Sequence, residues 1–366
     1  MAEYSALTPV NIVTGFLGSG KTTLLQRLLK SPNLRDVAVL VNEFGEVGLD
    51  HHLLQGVAEN TVLLGKGCLC CAVRGDLQRA LRDLLSRRTR GNVPYFRRVV
   101  IETSGLADPA PIAYTLLSEA VLHHHFRLSG IVTTADAVNG GSQLDRFRES
   151  VKQASMADRL VITKADLADE KTVTALRRQL RRLNVSAQIL DSREVGGDFS
   201  QLLTDDIYDA AGKSREASHW VAKVDEHATH SHTADVQSFA VIFDEPLDWT
   251  AFGVWASMLL HRHGADILRL KGLLNVAGVP TPVLINGIQH IVHPPSHLEE
   301  WPDVDRRSRL VFIVRGLQRG RIERSLGIFN GLVNKPASSA RARGGGDPTH
   351  SSSYGQSPSG FPLARN

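Results

Sequence analysis

Cysteine and long apolar runs are the two features that this chain of 366 residues most clearly lacks. Its only three cysteines, Cys68, Cys70 and Cys71, fall within four residues, so the chain cannot carry a disulfide framework. No run of about 18 or more apolar residues occurs, which argues against a membrane-spanning helix. Residues 1–10 lack the basic-then-apolar order of a secretory signal, so we expect a cytoplasmic protein without a membrane partner.

Aromatic residues and net charge are also low, at 6% of the chain and +4. A basic cluster at residues 177–182 lies opposite the apolar side chains of a predicted helix. Because no aromatic residues are interleaved to stack on bases, this cluster is interpreted as a solvated helix face rather than a nucleic-acid surface. We therefore expect no nucleic-acid partner.

What the chain does contain is a glycine-rich stretch at residues 15–22, Gly-Phe-Leu-Gly-Ser-Gly-Lys-Thr, which meets every position of the P-loop pattern G-x-x-x-x-G-K-[ST]. A predicted strand precedes it, and leucines at helical spacing follow it. In such a loop Lys21 supplies a positive charge to the phosphates and Thr22 offers a hydroxyl to Mg²⁺, so both are also candidate catalytic residues. The candidate nucleotide-binding residues are Gly15, Gly18, Ser19, Gly20, Lys21, Thr22 and Thr23.

Strands and helices alternate along the first half of the chain. Short apolar runs rich in β-branched residues predict buried strands, and this alternation is typical of an α/β fold with a mostly parallel sheet. Ligands of such sheets bind beyond the carboxyl ends of the strands. The predicted strands are residues 10–13, 37–41, 99–101, 130–134, 159–163 and 187–190.

The second half of the chain predicts a different module. Gly, Ser, His and charged residues between 209 and 236 are typical of a linker, and Ala, Ser, Gly, Arg and Pro beyond residue 335 are typical of a disordered tail. Between them, four strands and a single helix predict a small α+β domain. The strands are residues 238–243, 267–276, 283–289 and 310–314, and the helix is residues 249–261.

Two further motifs follow predicted strands. Glu102, at the start of Glu-Thr-Ser-Gly, is a candidate Mg²⁺ ligand and catalytic residue, and the amide of Gly105 is a candidate contact for a γ-phosphate. In the motif Thr-Lys-Ala-Asp, Asp166 can accept hydrogen bonds from both donors on the guanine edge, which adenine lacks. Lys164 would lie along the base, and Thr163 stands where such motifs usually have asparagine.

The cysteine cluster predicts metal binding. Three thiolates in four residues can converge on Zn²⁺ or Cu(I) and leave a fourth position open for another ligand or a client. Inert buried thiols are the alternative, although adjacent Cys70 and Cys71 would then pack on different sides of the backbone.

These motifs together carry a resemblance. GFLGSGKTT, NEFGEVGLD, GCLCC, ETSGLADP and TKAD, in this order, resemble the CobW family of P-loop GTPases, which are linked to metal handling and metallocentre assembly. The resemblance implies a P-loop GTPase domain at 8–208, a linker at 209–236 and a CobW-type C-terminal α+β domain at 237–318, before the tail at 335–366. It also implies Cys68, Cys70 and Cys71 as metal ligands, with Glu43 as a further candidate ligand.

The resulting hypothesis is a GTPase metal chaperone. GTP and Mg²⁺ would order residues 42–50, which would move the cysteine motif or a client surface, and hydrolysis would reset it. Intrinsic hydrolysis should be slow, since no arginine finger or water-positioning glutamine can be assigned. The expected cargo is Zn²⁺, with Co²⁺ or another transition metal as alternatives, and the expected partners are a client metalloprotein and, under nucleotide or metal control, a second copy of the chain.

Two other interpretations compete with this hypothesis. In the first, the protein is a nucleotide-gated assembly factor that docks on a client, and the cysteines form only a structural clip. In the second, Cys68 or Cys70 is a redox nucleophile, although no resolving cysteine is present elsewhere. Histidine clusters at residues 51–52, 123–125 and 227–232 could also bind metal or could equally be solvated loops, and they are not among the expected metal ligands.

Overall fold

The computed structural model describes residues 6–41, 62–64, 74–194, 198–204, 231–233 and 235–333. The predicted tail at 335–366 lies outside these residues, as does most of the predicted linker. The described end of that linker contains a short strand, residues 231–233, because its backbone pairs with the next strand.

A seven-stranded parallel sheet forms the amino-terminal part of the protein, as predicted. The spatial order of its strands is β3-β2-β4-β1-β5-β6-β7, and every neighbouring pair is parallel. The three-residue strand β3 was not predicted, because so short a run gives no periodicity signal. The strands are β1 (Thr8–Gly15), β2 (Val37–Val41), β3 (Val62–Leu64), β4 (Arg98–Glu102), β5 (Phe126–Asp136), β6 (Arg159–Thr163) and β7 (Gln188–Asp191).

Alternation along the strands builds an apolar core on each face of this sheet. Ile101 belongs to one buried cluster and its neighbour Val100 to another, and Ile131 and Val132 divide in the same way. Successive side chains of a strand point to opposite faces, so both faces must be covered by helices. The helices in this part are α1 (Lys21–Leu29), α2 (Arg74–Thr89), α3 (Ala110–Ser118), α4 (Gly140–Arg146), α5 (Arg148–Met156), α6 (Glu170–Leu183) and α7 (Gln201–Thr204).

Helix α6 shows why the basic cluster is a solvated face. The side chain of Asp169 caps its first turn by accepting from the Thr172 amide. Arg178 and Arg182 are exposed on its outer face. Its buried side is formed by Val173, Leu176, Leu180 and Leu183.

An antiparallel sheet with two helices forms the carboxyl-terminal part. The order of its main strands is β12-β11-β10-β14-β9-β8, with β13 paired to β11. The strands are β8 (Ser231–Thr233), β9 (Val236–Phe243), β10 (Ile267–Leu274), β11 (Val283–Ile288), β12 (Ile291–Val292), β13 (Ser296–His297) and β14 (Ser308–Arg315). The helices are α8 (Trp249–His263) and α9 (Arg319–Val333).

Helix α9 corrects the expectation of a single helix in this part. Three glycines lower its intrinsic helix propensity, so its sequence gives a weak signal. Packing on α8 stabilises it instead: Ile322 and Leu326 are buried, and Trp255 Nε1 of α8 donates to Ser325 Oγ at 2.9 Å. None of the helices in the described residues is long and apolar enough to cross a membrane.

A buried ion cluster joins the two sheets. Asp158, just before β6, accepts from the Ile131 amide at 2.9 Å and contacts Lys271 Nζ at 3.1 Å and the guanidinium of Arg269. Both cations lie in β10 and are at most 2% exposed. Burial alone would raise the pKa of Asp158, but Arg269 and Lys271 outweigh it and hold that pKa well below its usual range.

Candidate functional site

The P-loop follows β1 directly and needs glycine at three positions. Gly15, Gly18 and Gly20 have φ of +145°, +70° and +85°, values that residues with a Cβ rarely adopt. At Gly15 a Cβ would lie only 2.2 Å from Thr134 Oγ1 of the neighbouring strand β5. The loop is therefore pressed against the sheet, and it turns straight into helix α1.

Lys21 lies over this loop. Its Nζ donates to the carbonyls of Gly15 at 3.1 Å and Phe16 at 3.2 Å. It begins helix α1, whose first amides have no partner inside the helix. An ammonium group and the positive end of a helix dipole thus meet at one place, which favours a phosphate there.

Thr22 and Glu102 converge beside the loop. The Thr22 hydroxyl donates to Glu102 Oε1 at 2.7 Å, and Glu102 is 2% exposed at the end of β4. Strand pairing produces this approach, because Glu102 stands opposite Val13 in the neighbouring strand β1. A hydroxyl and a carboxylate together form the hard oxygen donor set that Mg²⁺ prefers, so these residues fit that cation.

Gly105 packs directly on the P-loop. A Cβ at this position would lie 2.7 Å from both the backbone nitrogen and the Cα of Leu17. Just before it, the Thr103 hydroxyl donates to Thr14 Oγ1 at 2.7 Å, which fastens this segment to β1. Any ligand group that displaces Leu17 or Gly105 must therefore move the other.

Thr163 links the Thr-Lys-Ala-Asp motif to the P-loop. Its hydroxyl donates to the Ser19 carbonyl at 2.7 Å, and the Ser19 hydroxyl is 2.6 Å from Thr134 Oγ1. A threonine at this position therefore keeps a hydroxyl contact to the phosphate loop, although it departs from the usual asparagine.

Lys164 is held by a residue that sequence reasoning missed. Its backbone is left-handed, with φ of +54°, and its Nζ donates to Asp136 Oδ2 at 2.8 Å. Burial would raise the pKa of Asp136, but hydrogen bonds from Lys164 and Asn139 outweigh it and lower that pKa. The only sequence signal for Asp136 is its position at the end of strand β5, which pairs with the strand that leads into the Thr-Lys-Ala-Asp motif.

A pocket of about 470 Å³ opens between the P-loop and this motif. Its size is within the range of small-molecule sites. It brings Gly20 and Thr23 of the P-loop together with three residues of the Thr-Lys-Ala-Asp motif, and its lining includes Ser192 and Arg193, which were not predicted as site residues. The lining residues are Gly20, Thr23, Leu24, Arg27, Thr163, Lys164, Asp166, Leu167, Ser192 and Arg193.

Arg193 is fixed at the rim of this pocket by two carboxylates. Its Nη2 donates to Asp191 Oδ2 at 2.7 Å and to Glu170 Oε2 at 3.2 Å. Burial alone would raise the pKa of Asp191, but the hydrogen bonds from Arg193 outweigh it and lower that pKa. Ser192 and Arg193 follow β7, so they lie at the edge of the sheet where ligands bind, but only the spatial order of the strands places them beside the Thr-Lys-Ala-Asp motif.

The predicted metal ligands Cys68, Cys70, Cys71 and Glu43 lie outside the described residues. Within the described ranges, no group of three or more His, Cys, Asp and Glu side chains is placed to hold a metal ion. His123 and His124 are exposed, with ring centroids 3.9 Å apart.

A parallel sheet with a P-loop after its first strand, a threonine–glutamate pair beside the loop and a pocket at the Thr-Lys-Ala-Asp motif together define a P-loop GTPase. The family is shown by two matches. Residues 9–191 match the CobW/HypB/UreG nucleotide-binding domain and residues 236–329 match the cobalamin synthesis protein CobW C-terminal domain, so the chain belongs to the CobW family. It is a GTPase with a smaller second domain, as the sequence resemblance implied.

Named relatives match over most of the chain. The zinc chaperone YjiA of Escherichia coli is 34% identical over 83% of this chain and 93% of its own length. The zinc-regulated GTPase metalloprotein activator 1 of Schizosaccharomyces pombe is 30% identical over 73% of this chain and 72% of its own length. The zinc-bound crystal structure of E. coli YjiA GTPase superimposes with a TM-score of 0.63 at 27% identity, covering 88% of this chain and 99% of that one.

Proposed function

We propose that this protein is a GTP-hydrolysing zinc chaperone that binds Zn²⁺ through Cys68, Cys70 and Cys71 and delivers it to a client metalloprotein under nucleotide control. The observation that carries the proposal is that Lys21, Thr22, Glu102 and the pocket at the Thr-Lys-Ala-Asp motif lie at one edge of the sheet. The relatives of the chain are named zinc chaperones, which supports the choice of metal. The nucleotide site and the cysteines are the two halves of this function.

The nucleotide half has a base end and a phosphate end. Asp166 pairs with the guanine edge in the 470 Å³ pocket, while Lys164 and Arg193 lie at its walls. At the other end, Lys21 Nζ exchanges the Gly15 and Phe16 carbonyls for the phosphate oxygens. The backbone amides at the start of α1 donate to the same phosphates. Because the Thr163 hydroxyl donates a hydrogen bond to the Ser19 carbonyl, the base end and the phosphate end of the site keep a fixed separation.

The Mg²⁺ that accompanies GTP would be held by Thr22 and Glu102. When bound, this cation supplies positive charge to the phosphate oxygens during transfer to water. Glu102 is ready for that role because its side chain is buried and already oriented by the Thr22 hydroxyl. We expect slow intrinsic turnover, with acceleration by metal or client.

The metal half rests on chemistry and on the relatives. Cysteine thiolates are preferred ligands of Zn²⁺, and three of them leave a position from which the ion can pass to a client. Co²⁺ or another transition metal is the alternative cargo. A nucleotide- or metal-dependent homo-oligomer remains a prediction.

Replacement of the three cysteines separates the chaperone from the structural-clip alternative. We expect the Cys68/Cys70/Cys71→Ser variant to fold, to bind GTP and to lose zinc affinity by at least about 100-fold, because all three thiolates are gone. The measurement is zinc titration of the untagged full chain by competition with a chromophoric chelator, with thermal unfolding recorded on the same samples.

Replacement of His123, His124 and His125 by alanine is the matched control, because it removes three exposed metal-capable side chains and should leave zinc affinity unchanged. A cysteine variant that unfolds at a much lower temperature would support the clip instead. Wild-type zinc affinity in that variant would refute the cysteine site.

A further inference from the structure

The amino-terminal end of helix α5 contacts the P-loop. Phe147, the residue before its first turn, stacks on Phe16 of the P-loop with ring centroids 4.6 Å apart and an angle of 29° between the rings. The start of α5 is therefore in direct contact with the P-loop.

The middle of α5 holds the segment that carries Gly105. Gln153 Nε2 donates to the carbonyls of Gly105 at 3.2 Å and Ala107 at 2.9 Å, and Lys152 Nζ contacts Asp108 Oδ2 at 2.7 Å. Gln153, Gly105 and Ala107 are all buried, so water does not readily replace Gln153 as the donor to these carbonyls. Leaving a buried polar group unbonded is costly, so Gln153 must move with the Gly105 segment or restrain it.

The end of α5 leads into the ion cluster that joins the two sheets. Asn184 Nδ2 donates to the carbonyls of Ala154, Ser155 and Ala157 at 2.9 to 3.1 Å, which fixes the last turn. Asp158 follows at once, with its carboxylate on Lys271 and Arg269 of β10. Nine residues of helix span only roughly 13 Å, so a shift at Gln153 reaches Asp158 through one short rigid element.

We propose that α5 relays the nucleotide state from the Gly105 segment to the C-terminal domain, with Gln153 as the positioning residue that connects them. A γ-phosphate that attracts the Gly105 amide moves the Gly105 segment, and with it the two carbonyls that accept from Gln153. The shift of α5 then changes the strength of the ion pairs of Asp158 with Arg269 and Lys271. This in turn changes the local stability of β10. This inference rests on the proposed place of GTP at the P-loop but needs neither zinc nor the cysteines.

The test is hydrogen exchange of the β10 amides, Ile267–Leu274, in the full chain with a non-hydrolysable GTP analogue and with GDP. We expect wild-type exchange rates to differ at least about 5-fold between the two nucleotides. In Gln153→Met, which keeps the side-chain volume and removes both donated hydrogen bonds, the difference should vanish while both nucleotides still bind.

Gln179→Met is the matched control. The side-chain amide of Gln179 in α6 also donates to a neighbouring element, from Nε2 to Asp145 Oδ1 of α4 at 2.8 Å, but it makes no hydrogen bond to the Gly105 segment. We expect this variant to keep the wild-type difference in exchange. If Gln153→Met fails to fold, Lys152→Met removes the other link between α5 and this segment, the partly exposed contact with Asp108, and should also reduce the difference.

Two results would overturn the relay: equal β10 exchange with both nucleotides in the wild type, or a wild-type difference retained in Gln153→Met. Fluorescent-nucleotide binding measured on the same samples distinguishes this failure from failure of the nucleotide site. If the wild-type chain binds neither nucleotide, the proposed site is wrong, and the relay is overturned with it.

Discussion

Replacement of Lys21 by alanine should reduce kcat/KM for GTP by about 100- to 1,000-fold, the usual loss when one preorganised charge-stabilising donor is removed. Lys21 Nζ donates to the Gly15 and Phe16 carbonyls of its own loop, which places its ammonium group at the proposed phosphate position. Phosphate release at several GTP concentrations measures the effect, and thermal unfolding checks the fold.

Lys30→Ala is the control for this change. Lys30 is the exposed C-cap residue of the same helix, at the end remote from the loop, so its loss changes the charge equally without touching the site. We expect it to hydrolyse GTP like the wild type. A Lys21→Ala variant within about twofold of wild type would mean that the P-loop lysine does not act on the phosphates.

Asp166→Asn should exchange guanine selectivity for xanthine selectivity. The carboxylate accepts from both guanine donors, whereas an asparagine amide presents one donor and one acceptor and so matches xanthine, which carries a carbonyl in place of the exocyclic amine. We expect kcat/KM for GTP to fall about 100-fold or more and that for xanthosine triphosphate to rise. Parallel assays with the two nucleotides measure the switch.

Asp169→Asn provides the comparison for this variant. Asp169 is an exposed aspartate three residues further on that caps α6, and asparagine caps helices about as well. Its selectivity should remain that of the wild type. Unchanged GTP preference in Asp166→Asn would place the guanine edge elsewhere in the pocket.

The sequence predicted the parallel sheet and the loop after its first strand because local signals agree there. An apolar run, glycines with required positive φ and leucines at helical spacing all point to the same structure. The meeting of Thr22 and Glu102 was also predictable, because the P-loop that carries Thr22 follows β1 and Glu102 ends the neighbouring parallel strand β4.

Residues without a motif could not be found in this way. Asp136 and Arg193 become neighbours of the base motif only when the order of β5, β6 and β7 in space is known. Gln153 was even harder to predict. No sequence pattern distinguishes a buried glutamine that donates to two carbonyls from an exposed glutamine. Helix α9 was missed because tertiary packing on α8 outweighs its glycine content.

Coupling between nucleotide and metal is the central claim of this account. By linkage, if zinc binding depends on the nucleotide, nucleotide binding must depend on zinc by the same factor. The most direct measurement is the zinc dissociation constant of the untagged wild-type chain with a non-hydrolysable GTP analogue and Mg²⁺, and again with GDP and Mg²⁺. The account predicts values that differ by about 5- to 150-fold, and equal values in the two nucleotide states would contradict it.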